Sequence, residues 1–187
     1  MGTTQERREW LERCRDYHGH LCMGQVLGAR IGIKGMELIA PATPKDVIVF
    51  VENDRCVADA VLVVSGTRVG RRTLKMRDYG RMAATFWNPS TGVAWRVRAD
   101  YEGPKVEGGE DALRDLMELP DDDMVRWERV TIDLPESEMP GHPKRIVPCS
   151  VCGERVFDSK DHPGPDGEPV CEACARGSYY GAWKEEG

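Results

Sequence analysis

The sequence predicts an α+β fold, in which helices pack on a mostly antiparallel or mixed sheet and a small cysteine-rich module follows. Two early stretches, residues 3–17 and 25–40, carry apolar side chains at helical spacing. Short β-branched and aromatic segments follow and indicate strands. Near the carboxyl end, paired cysteines appear among prolines, glycines and acidic residues. We therefore expect a core over residues 1–134, a linker over 135–148 and a module over 149–187.

The second predicted helix contains Gly24, Gly28 and Gly32 at four-residue spacing. Because glycine lowers helix propensity, this spacing indicates that another backbone approaches closely along one face. Cys14, at helical spacing in the first helix, is interpreted as a small core residue. The remaining segments predict, in chain order, a strand at 47–51, a helix at 56–64 with Asp54 as its N-cap, strands at 74–79, 82–87 and 93–99, a helix at 110–119 and a strand at 125–134.

Two histidines and a cysteine, His18, His20 and Cys22, fall within five residues at the start of the second helix. Neutral imidazole and thiol groups suit zinc, and iron or copper less specifically. The positive end of the helix dipole would also favour a thiolate at Cys22. A His-x-His pair by itself is often a structural pair or a surface coincidence, and that interpretation stays open.

Cys56 follows the polar cluster Glu52-Asn53-Asp54-Arg55 at the end of the predicted 47–51 strand. Functional residues collect at strand ends in α/β sheets. Cys56 also begins a predicted helix, as Cys22 nearly does. Two such cysteines meeting two histidines would form a three-ligand site with an open position, which is the arrangement that catalytic metals use.

The carboxyl-terminal segment contains two Cys-x-x-Cys pairs, Cys149 with Cys152 and Cys171 with Cys174. Four thiolates at this spacing are typical of a structural zinc module, and the intervening loop is too polar to fold without one. A redox dithiol would usually need only one pair. His162 is a possible substitute ligand, but four cysteines already fill a tetrahedron.

Composition excludes several functional classes. The net charge of −6 argues against nucleic acid as a partner, and the longest apolar runs are too short to span a bilayer. The charged first residues predict no signal peptide, and the paired cysteines indicate a reducing compartment, so the cytoplasm is expected. Eight basic residues against one acid between residues 66 and 99 predict either a solvated face or a site for an anionic ligand.

Three motifs in order carry a family resemblance: His18-Gly19-His20-Leu21-Cys22, the segment from Glu52 to Ala60, and Arg77-Asp78-Tyr79-Gly80. With them the sequence resembles the formylmethanofuran dehydrogenase E-subunit family over roughly residues 10–100. The four-cysteine module resembles the treble-clef or ribbon zinc finger that many members carry. The resemblance implies an α+β homodimer with a metal- or cysteine-lined site in its core, and a molybdenum or tungsten enzyme as partner.

Carried over by position, the resemblance makes His18, His20, Cys22 and Cys56 the pocket residues, with Asp59 one helical turn further on. Two positions depart from the family pattern. Met23 stands where many members have proline, and Thr67 stands where many have a cysteine. If that cysteine is a metal ligand or half of a dithiol, this chain lacks it.

Three functions remain open. The first is an accessory subunit or small metalloenzyme linked to molybdenum- or tungsten-dependent one-carbon redox metabolism, with Asp59 or a histidine as proton acceptor and zinc in the module. The second is a non-catalytic zinc-finger binding or regulatory protein whose core senses a metal or ligand. The third is thiol redox chemistry between Cys22 and Cys56, which requires their sulfur atoms within bonding distance.

Overall fold

The computed structural model describes residues 3–181 and confirms the α+β fold class. The chain divides into two compact units, residues 1–133 and residues 134–187. Among the described residues, no helix has both the length and the apolar composition that crossing a membrane requires.

The described part of the first unit contains four α-helices and five strands. Its elements, in chain order, are α1 Thr4–His18, α2 Met23–Ile39, β1 Ile48–Val51, α3 Cys56–Ser65, β2 Leu74–Met76, β3 Ala83–Asn88, β4 Val93–Ala99, α4 Gly109–Asp115 and β5 Val125–Val130. Thr3 caps α1 in a capping box with Glu6, and Gly66 ends α3 in the left-handed conformation at φ 66°.

The five strands form one mixed sheet in the order β2-β1-β3-β4-β5. β1 pairs with β2 in parallel and with β3 in the antiparallel direction. The hairpin expected across residues 88–92 is confirmed, since β3 and β4 pair antiparallel from Ala83–Arg98 to Asn88–Val93. β2 and β5 are the two edges, and every residue of β1 is buried.

Gly24, Gly28 and Gly32 of α2 lie against α3, as their spacing predicts. A β-carbon built on Gly28 would lie 2.7 Å from the β-carbon of Ala60, and one built on Gly32 would lie 2.8 Å from that of Val64. Real β-carbons do not approach so closely, so only glycine lets the two helices pack at this distance. The same contact continues at Gly24 and Cys56, and it thereby positions the candidate site.

Asp121 joins α1 and α2 to the segment that follows α4. Its carboxylate accepts from Arg30 at 2.8 Å, from Arg7 at 3.2 Å and pairs with Lys34 at 3.2 Å. Arg30 is only 2% exposed and also donates to the carbonyl oxygen of Met117 at 2.9 Å. A buried guanidinium requires such partners, because an unpaired buried charge costs several kcal/mol.

The second unit consists, over its described residues, of two small hairpins and a short helix. Its elements are β6 Ile146–Pro148, β7 Arg155–Phe157, β8 Asp161–Pro163, β9 Pro169–Cys171 and α5 Glu172–Arg176. β6 pairs with β7 and β8 pairs with β9, both antiparallel. The unit has few buried apolar side chains, among them Cys149 and Val170.

Several expectations differ from the observed elements. The strands expected at 74–79 and 125–134 end earlier, at Met76 and Val130. Arg55, not Asp54, is the N-cap of α3, and no side chain caps this helix; Asn53 instead accepts the backbone N–H of Arg55 at 3.2 Å. The helix expected at 110–119 ends at Asp115 and continues only as a 3-10 turn, Leu116–Glu118. The segment 135–148, expected as a linker, contains a 3-10 turn and strand β6.

Candidate metal centre

The His-Gly-His-Leu-Cys segment is the junction between α1 and α2. α1 ends at His18 because Gly19 adopts the left-handed conformation, φ 93°, and returns its N–H to the carbonyl oxygen of Arg15 at 2.8 Å. Cys22 is the N-cap residue of α2. The Leu21 N–H donates to Glu110 at 3.3 Å, which ties the turn to α4. The turn therefore holds its ligands between two helices.

His18, His20 and Cys22 come together at this junction. One candidate ligand atom from each lies within 4.8 Å of the others. The two imidazole rings have centroids 4.8 Å apart and are tilted by 39°. His18 and Cys22 are half-buried and His20 is exposed, so the group opens to solvent on one side. Such a half-open donor set is the kind that can accept both a metal and a further ligand.

Asp59, on the first turn of α3, holds His18 in a defined orientation. Its Oδ2 lies 2.8 Å from His18 Nδ1. His18 Nε2 is buried and has no hydrogen-bond partner among the described residues. A carboxylate at Nδ1 fixes the tautomer in which Nε2 offers its lone pair, and this carboxylate–histidine pairing is common in metal sites. The unpartnered Nε2 is therefore a nitrogen that a metal ion could satisfy.

Cys56 lies beside Cys22 but outside the group of three candidate ligands, His18, His20 and Cys22. A β-carbon added at Gly24 would lie 3.7 Å from the sulfur atoms of both cysteines. Burial, followed by the hydrogen bond and charge of the Cys22 thiol, raises the pKa of the Cys56 thiol. Without a metal, the two helix-start cysteines therefore disfavour a thiolate at Cys56, in spite of the helix dipole.

Gln25 is a residue that sequence reasoning missed. It is fully buried, and its Nε2 donates to the carbonyl oxygen of Cys56 at 2.6 Å, while its Oε1 has no described partner. The bond ties the start of α3 to the first turn of α2. A glutamine among the apolar residues of the first turns of α2, three residues after Cys22, was the available signal.

The polar cluster before Cys56 serves the fold. Glu52 is 5% exposed and forms a two-pronged ion pair with Arg96, at 2.7 and 2.9 Å. Asn53 donates to the carbonyl oxygen of Arg81 at 2.8 Å. Asp54 is exposed. Glu52 and Asn53 thus fix the loop between β1 and α3, which leads into Cys56.

The predicted basic stretch divides between structural and exposed residues. Arg96 pairs with Glu52 and with Glu128, and Arg98 pairs with Asp100. Arg81 lies over the Tyr79 ring at 5.6 Å. The arginines of β4 thus belong to the sheet, and the stretch is not one continuous anion site.

Thr67 lies at the end of α3 that is remote from Cys56. Cys56 is the first residue of the ten-residue helix Cys56–Ser65 and Thr67 follows its end, so about 15 Å of helix lies between the two positions. Thr67 is 3% exposed and shares a hydrogen bond of 2.7 Å with Ser65. A cysteine at this position would therefore lie too far from Cys56 for the two to bind one metal ion.

An open pocket of about 540 Å³ adjoins the core group. His18, Cys56 and Asp59 form one wall. The rest of its lining is mostly apolar, with Tyr17, Ala58, Leu62, Val69, Leu74 and Met76, and with Asp54 and Arg55 at the polar side. His18 and Cys56 are thus accessible to a small molecule from this pocket.

In the second unit, one ligand atom from each of Cys149, Cys152, Cys171 and Cys174 lies within 4.8 Å of the others. The sulfur atoms of Cys152 and Cys171 are 3.9 Å apart. Four sulfurs at about 2.3 Å from a tetrahedral zinc would be about 3.8 Å from one another. The cluster therefore has the dimensions of a four-cysteine metal site, and the unit fits a small zinc module.

Backbone N–H groups support a thiolate at Cys149. Those of Cys152 and Cys171 lower the pKa of the Cys149 thiol to about 6, and the Cys171 N–H donates to its sulfur at 3.3 Å. The hydrogen bond to Cys171 raises the pKa of Cys174 to about 12. His162 bonds Glu172, so the structure gives this histidine a carboxylate partner outside the cysteine cluster.

The chain is similar to known proteins in sequence and in fold. The chain is 25% identical, over 91% of its length, to a probable S-adenosyl-L-methionine-binding protein of Archaeoglobus fulgidus, and it spans about half, 53%, of that relative's length. The structure resembles the crystal structure of a tungsten formylmethanofuran dehydrogenase FmdE-like protein from Syntrophus aciditrophicus. The TM-score is 0.64 at 23% identity, with 93% of this chain and 94% of that chain covered.

The first unit also matches a family model, described as FmdE, molybdenum formylmethanofuran dehydrogenase operon, over residues 17–129. That match begins at the histidine–cysteine junction and ends in β5, so it contains the whole candidate centre. The resemblance inferred from the three sequence motifs is confirmed, and the chain belongs to the FmdE family.

Proposed function

We propose that the core group is a transition-metal site, with zinc as the first candidate, held by His18, His20 and Cys22 with Cys56 beside them. The observation that carries this proposal is the buried, unpartnered His18 Nε2, whose ring is fixed by Asp59 at 2.8 Å. A metal at such a half-open site would supply Lewis acidity or an activated water. We also propose zinc in the four-cysteine module, where it would be structural.

The residues around the core group have distinct roles in this proposal. Asp59 orients His18, which makes Asp59 a positioning residue. In the arrangement in which Cys56 replaces His20 as a ligand, His20 is the exposed candidate for proton transfer. Gln25 and Gly24 position Cys56. The pocket next to His18 and Cys56 would admit the ligand or substrate.

We infer that the protein serves a molybdenum- or tungsten-dependent one-carbon redox system, as an accessory subunit or as a small metalloenzyme. The family description and the name of the Syntrophus protein support this association. A homodimer in the cytoplasm, with a molybdenum or tungsten enzyme as partner, belongs to the same proposal.

A second candidate function is a non-catalytic binding or regulatory protein. The module favours it, since several of its large apolar side chains are exposed, including Val151, Phe157 and Tyr180. In this alternative the module contacts a protein partner and the core senses a metal or ligand. The thiol redox alternative instead predicts a Cys22–Cys56 disulfide in oxidised protein, which mass spectrometry of alkylated peptides would detect.

Metal content per chain tests the proposal directly. Elemental analysis of protein purified without oxygen or added metal should give two equivalents for wild type. The His18→Ala/Cys22→Ala double variant should retain one equivalent. Cys152→Ala, the matched variant of the four-cysteine cluster, should also retain one. One equivalent in both wild type and the double variant would remove the core metal from the proposal. Two equivalents in the double variant would refute the ligand assignment.

A further inference from the structure

The pocket beside the core group has an apolar wall that is unusually open to solvent. Tyr17 is 58% exposed, Val69 is 63% exposed and Met76 is 39% exposed. All three line the same pocket. Single exposed apolar residues are ordinary, but a contiguous group around a concavity marks a binding surface.

The side chains that form this apolar wall favour a flat apolar ligand. The Tyr17 ring offers a stacking surface, and the Met76 thioether packs favourably against aromatic rings. Leu62 and Leu74 close the pocket from α3 and β2. A volume of about 540 Å³ lies within the range of small-molecule sites, roughly 300–1,000 Å³.

The positive charge of Arg55 favours a ligand that also carries an anionic group. Arg55 lines the pocket with a side chain that is 82% exposed, and the ion pair it forms with the adjacent Asp54 is long, at 4.0 Å. Asp54 is itself 72% exposed, so this pair contributes little. Asp59, the other carboxylate of the pocket, is engaged by His18. A planar oxyanion would therefore find a guanidinium that can bind it in two-pronged fashion.

We propose that this pocket binds a small aryl anion, whose ring lies on Tyr17, Val69 and Met76 and whose carboxylate or similar oxyanion meets Arg55. This inference rests on the proposed metal site, and it adds to that proposal the class of ligand that would bind beside the metal. His18 and Cys56 form the adjoining wall, so a bound ligand would lie next to the candidate metal ligands.

Two fluorescent probes that differ by one charged group test both parts of the proposal. 8-Anilinonaphthalene-1-sulfonate carries the anion, and N-phenyl-1-naphthylamine is the same ring system without it. We expect saturable binding of the anionic probe at one site. Val69→Glu should weaken binding of both probes by about ten-fold or more, because it places a carboxylate on the apolar wall. Arg55→Glu should weaken only the sulfonate, by about three- to ten-fold.

Val151→Glu is the matched control, since this valine is 69% exposed and lies in the other unit. It should leave the affinity for both probes unchanged. All three positions are exposed, and unchanged circular dichroism would show that the variants fold. Equal effects of Val69→Glu and Val151→Glu would overturn the proposal. So would a Val69→Glu variant that sediments as a smaller oligomer with unaltered probe affinity, because a second copy would then cover the pocket.

The metal measurement separates the two proposals. Suppose that wild type holds two metals and the double variant one, while Val69→Glu and Arg55→Glu leave the affinity for the sulfonate probe unchanged. Only the ligand inference then fails. If both probes respond as expected but the double variant keeps two metals, the metal centre fails and the pocket stands as a ligand site.

Discussion

The two ligand clusters of this chain are held in opposite ways. His18, His20 and Cys22 lie at a junction between helices of 15 and 17 residues that pack in an apolar core. The four cysteines of the module lie among strands of three residues and a helix of five. A core with its own packing folds before it meets a metal, whereas a unit this small depends on one. Cysteine ligands would thus serve chemistry in one place and folding in the other.

Removing the module cluster should give the largest effect. In Cys152→Ala, or in wild type with excess chelator, amides of residues 146–176 should lose protection from hydrogen exchange while those of α2 and β3 keep it. Structural zinc sites contribute apparent free energies of about 10–16 kcal/mol, which no packing in this unit replaces. Ser150→Ala, an exposed change in the same turn, is the control. If the module amides of Cys152→Ala stayed protected from hydrogen exchange, the proposed difference between the two clusters would be contradicted.

Asp121→Ala should show that the core depends on its own interactions. The change leaves Arg7, Arg30 and Lys34 without their shared carboxylate, and a stripped buried ion pair costs about 3–5 kcal/mol. Urea denaturation of chelator-treated protein, followed by circular dichroism, measures this loss. Asp123→Ala, an exposed neighbour, should stay within about 0.5 kcal/mol of wild type. Equal stability of the two variants would contradict the structural role of Asp121.

Gly24→Ala should affect the core centre without touching a ligand. The added β-carbon would lie 2.8 Å from that of Cys56, so α2 and α3 must separate, at about 1–3 kcal/mol. Core metal content should fall while the module keeps its metal. Gly70→Ala, where the new β-carbon meets nothing within 4 Å, is the matched control. An unaltered core metal content would show that the Gly24 contact does not set the site.

Asp59→Asn should lower core metal affinity by about 10- to 100-fold, because the amide no longer holds His18 Nδ1 with a charge. Competition with a zinc-binding dye measures the change, and the module cluster gives the internal reference. Asp54→Asn changes a carboxylate that is 72% exposed in the same pocket and should have little effect. If the two variants bind metal alike, Asp59 is not a positioning residue.

Cys14 should give the smallest effect, on the pH dependence of stability. Burial raises its pKa from 9.0 to about 12. Above pH 9 the unfolded chain releases this proton while the folded chain keeps it, so folding stability falls as pH rises. At pH 10 the loss is about 1.4 kcal/mol. The difference between wild type and Cys14→Ala in urea should shrink from pH 8 to pH 10; a constant difference would contradict the buried, protonated thiol.

Local patterns were sufficient to predict most of the fold. The glycine spacing of α2 predicted the close approach that α3 makes, and the turn after Asn88 predicted the β3–β4 hairpin. What failed was decided by distant contacts. Aspartate is a common N-cap residue, so Asp54 was the natural candidate. However, Asn53 donates to the carbonyl oxygen of Arg81, and in this position its side chain accepts the Arg55 N–H.

The sequence predicted that His18, His20 and Cys22 lie together, but it predicted neither Gln25 nor the arrangement of the side chains around them. Spacing alone placed His18, His20 and Cys22 together, since they share one turn. The pairing of Asp59 with His18 Nδ1 depends on how α3 packs against α1, and the Gln25 bond depends on α3 meeting α2. The distance of Thr67 from Cys56 also depends on the length and direction of α3, which no local pattern gives.

The two edges of the sheet resist the addition of further strands. β2 is only three residues long, and β5 carries Arg126, Glu128 and Arg129 at its exposed positions. Short or charged edges are poor templates for pairing with another chain, and they protect a sheet from edge-to-edge aggregation. We therefore expect a second copy or a partner protein to join the first unit through side chains and not through backbone pairing at either edge strand.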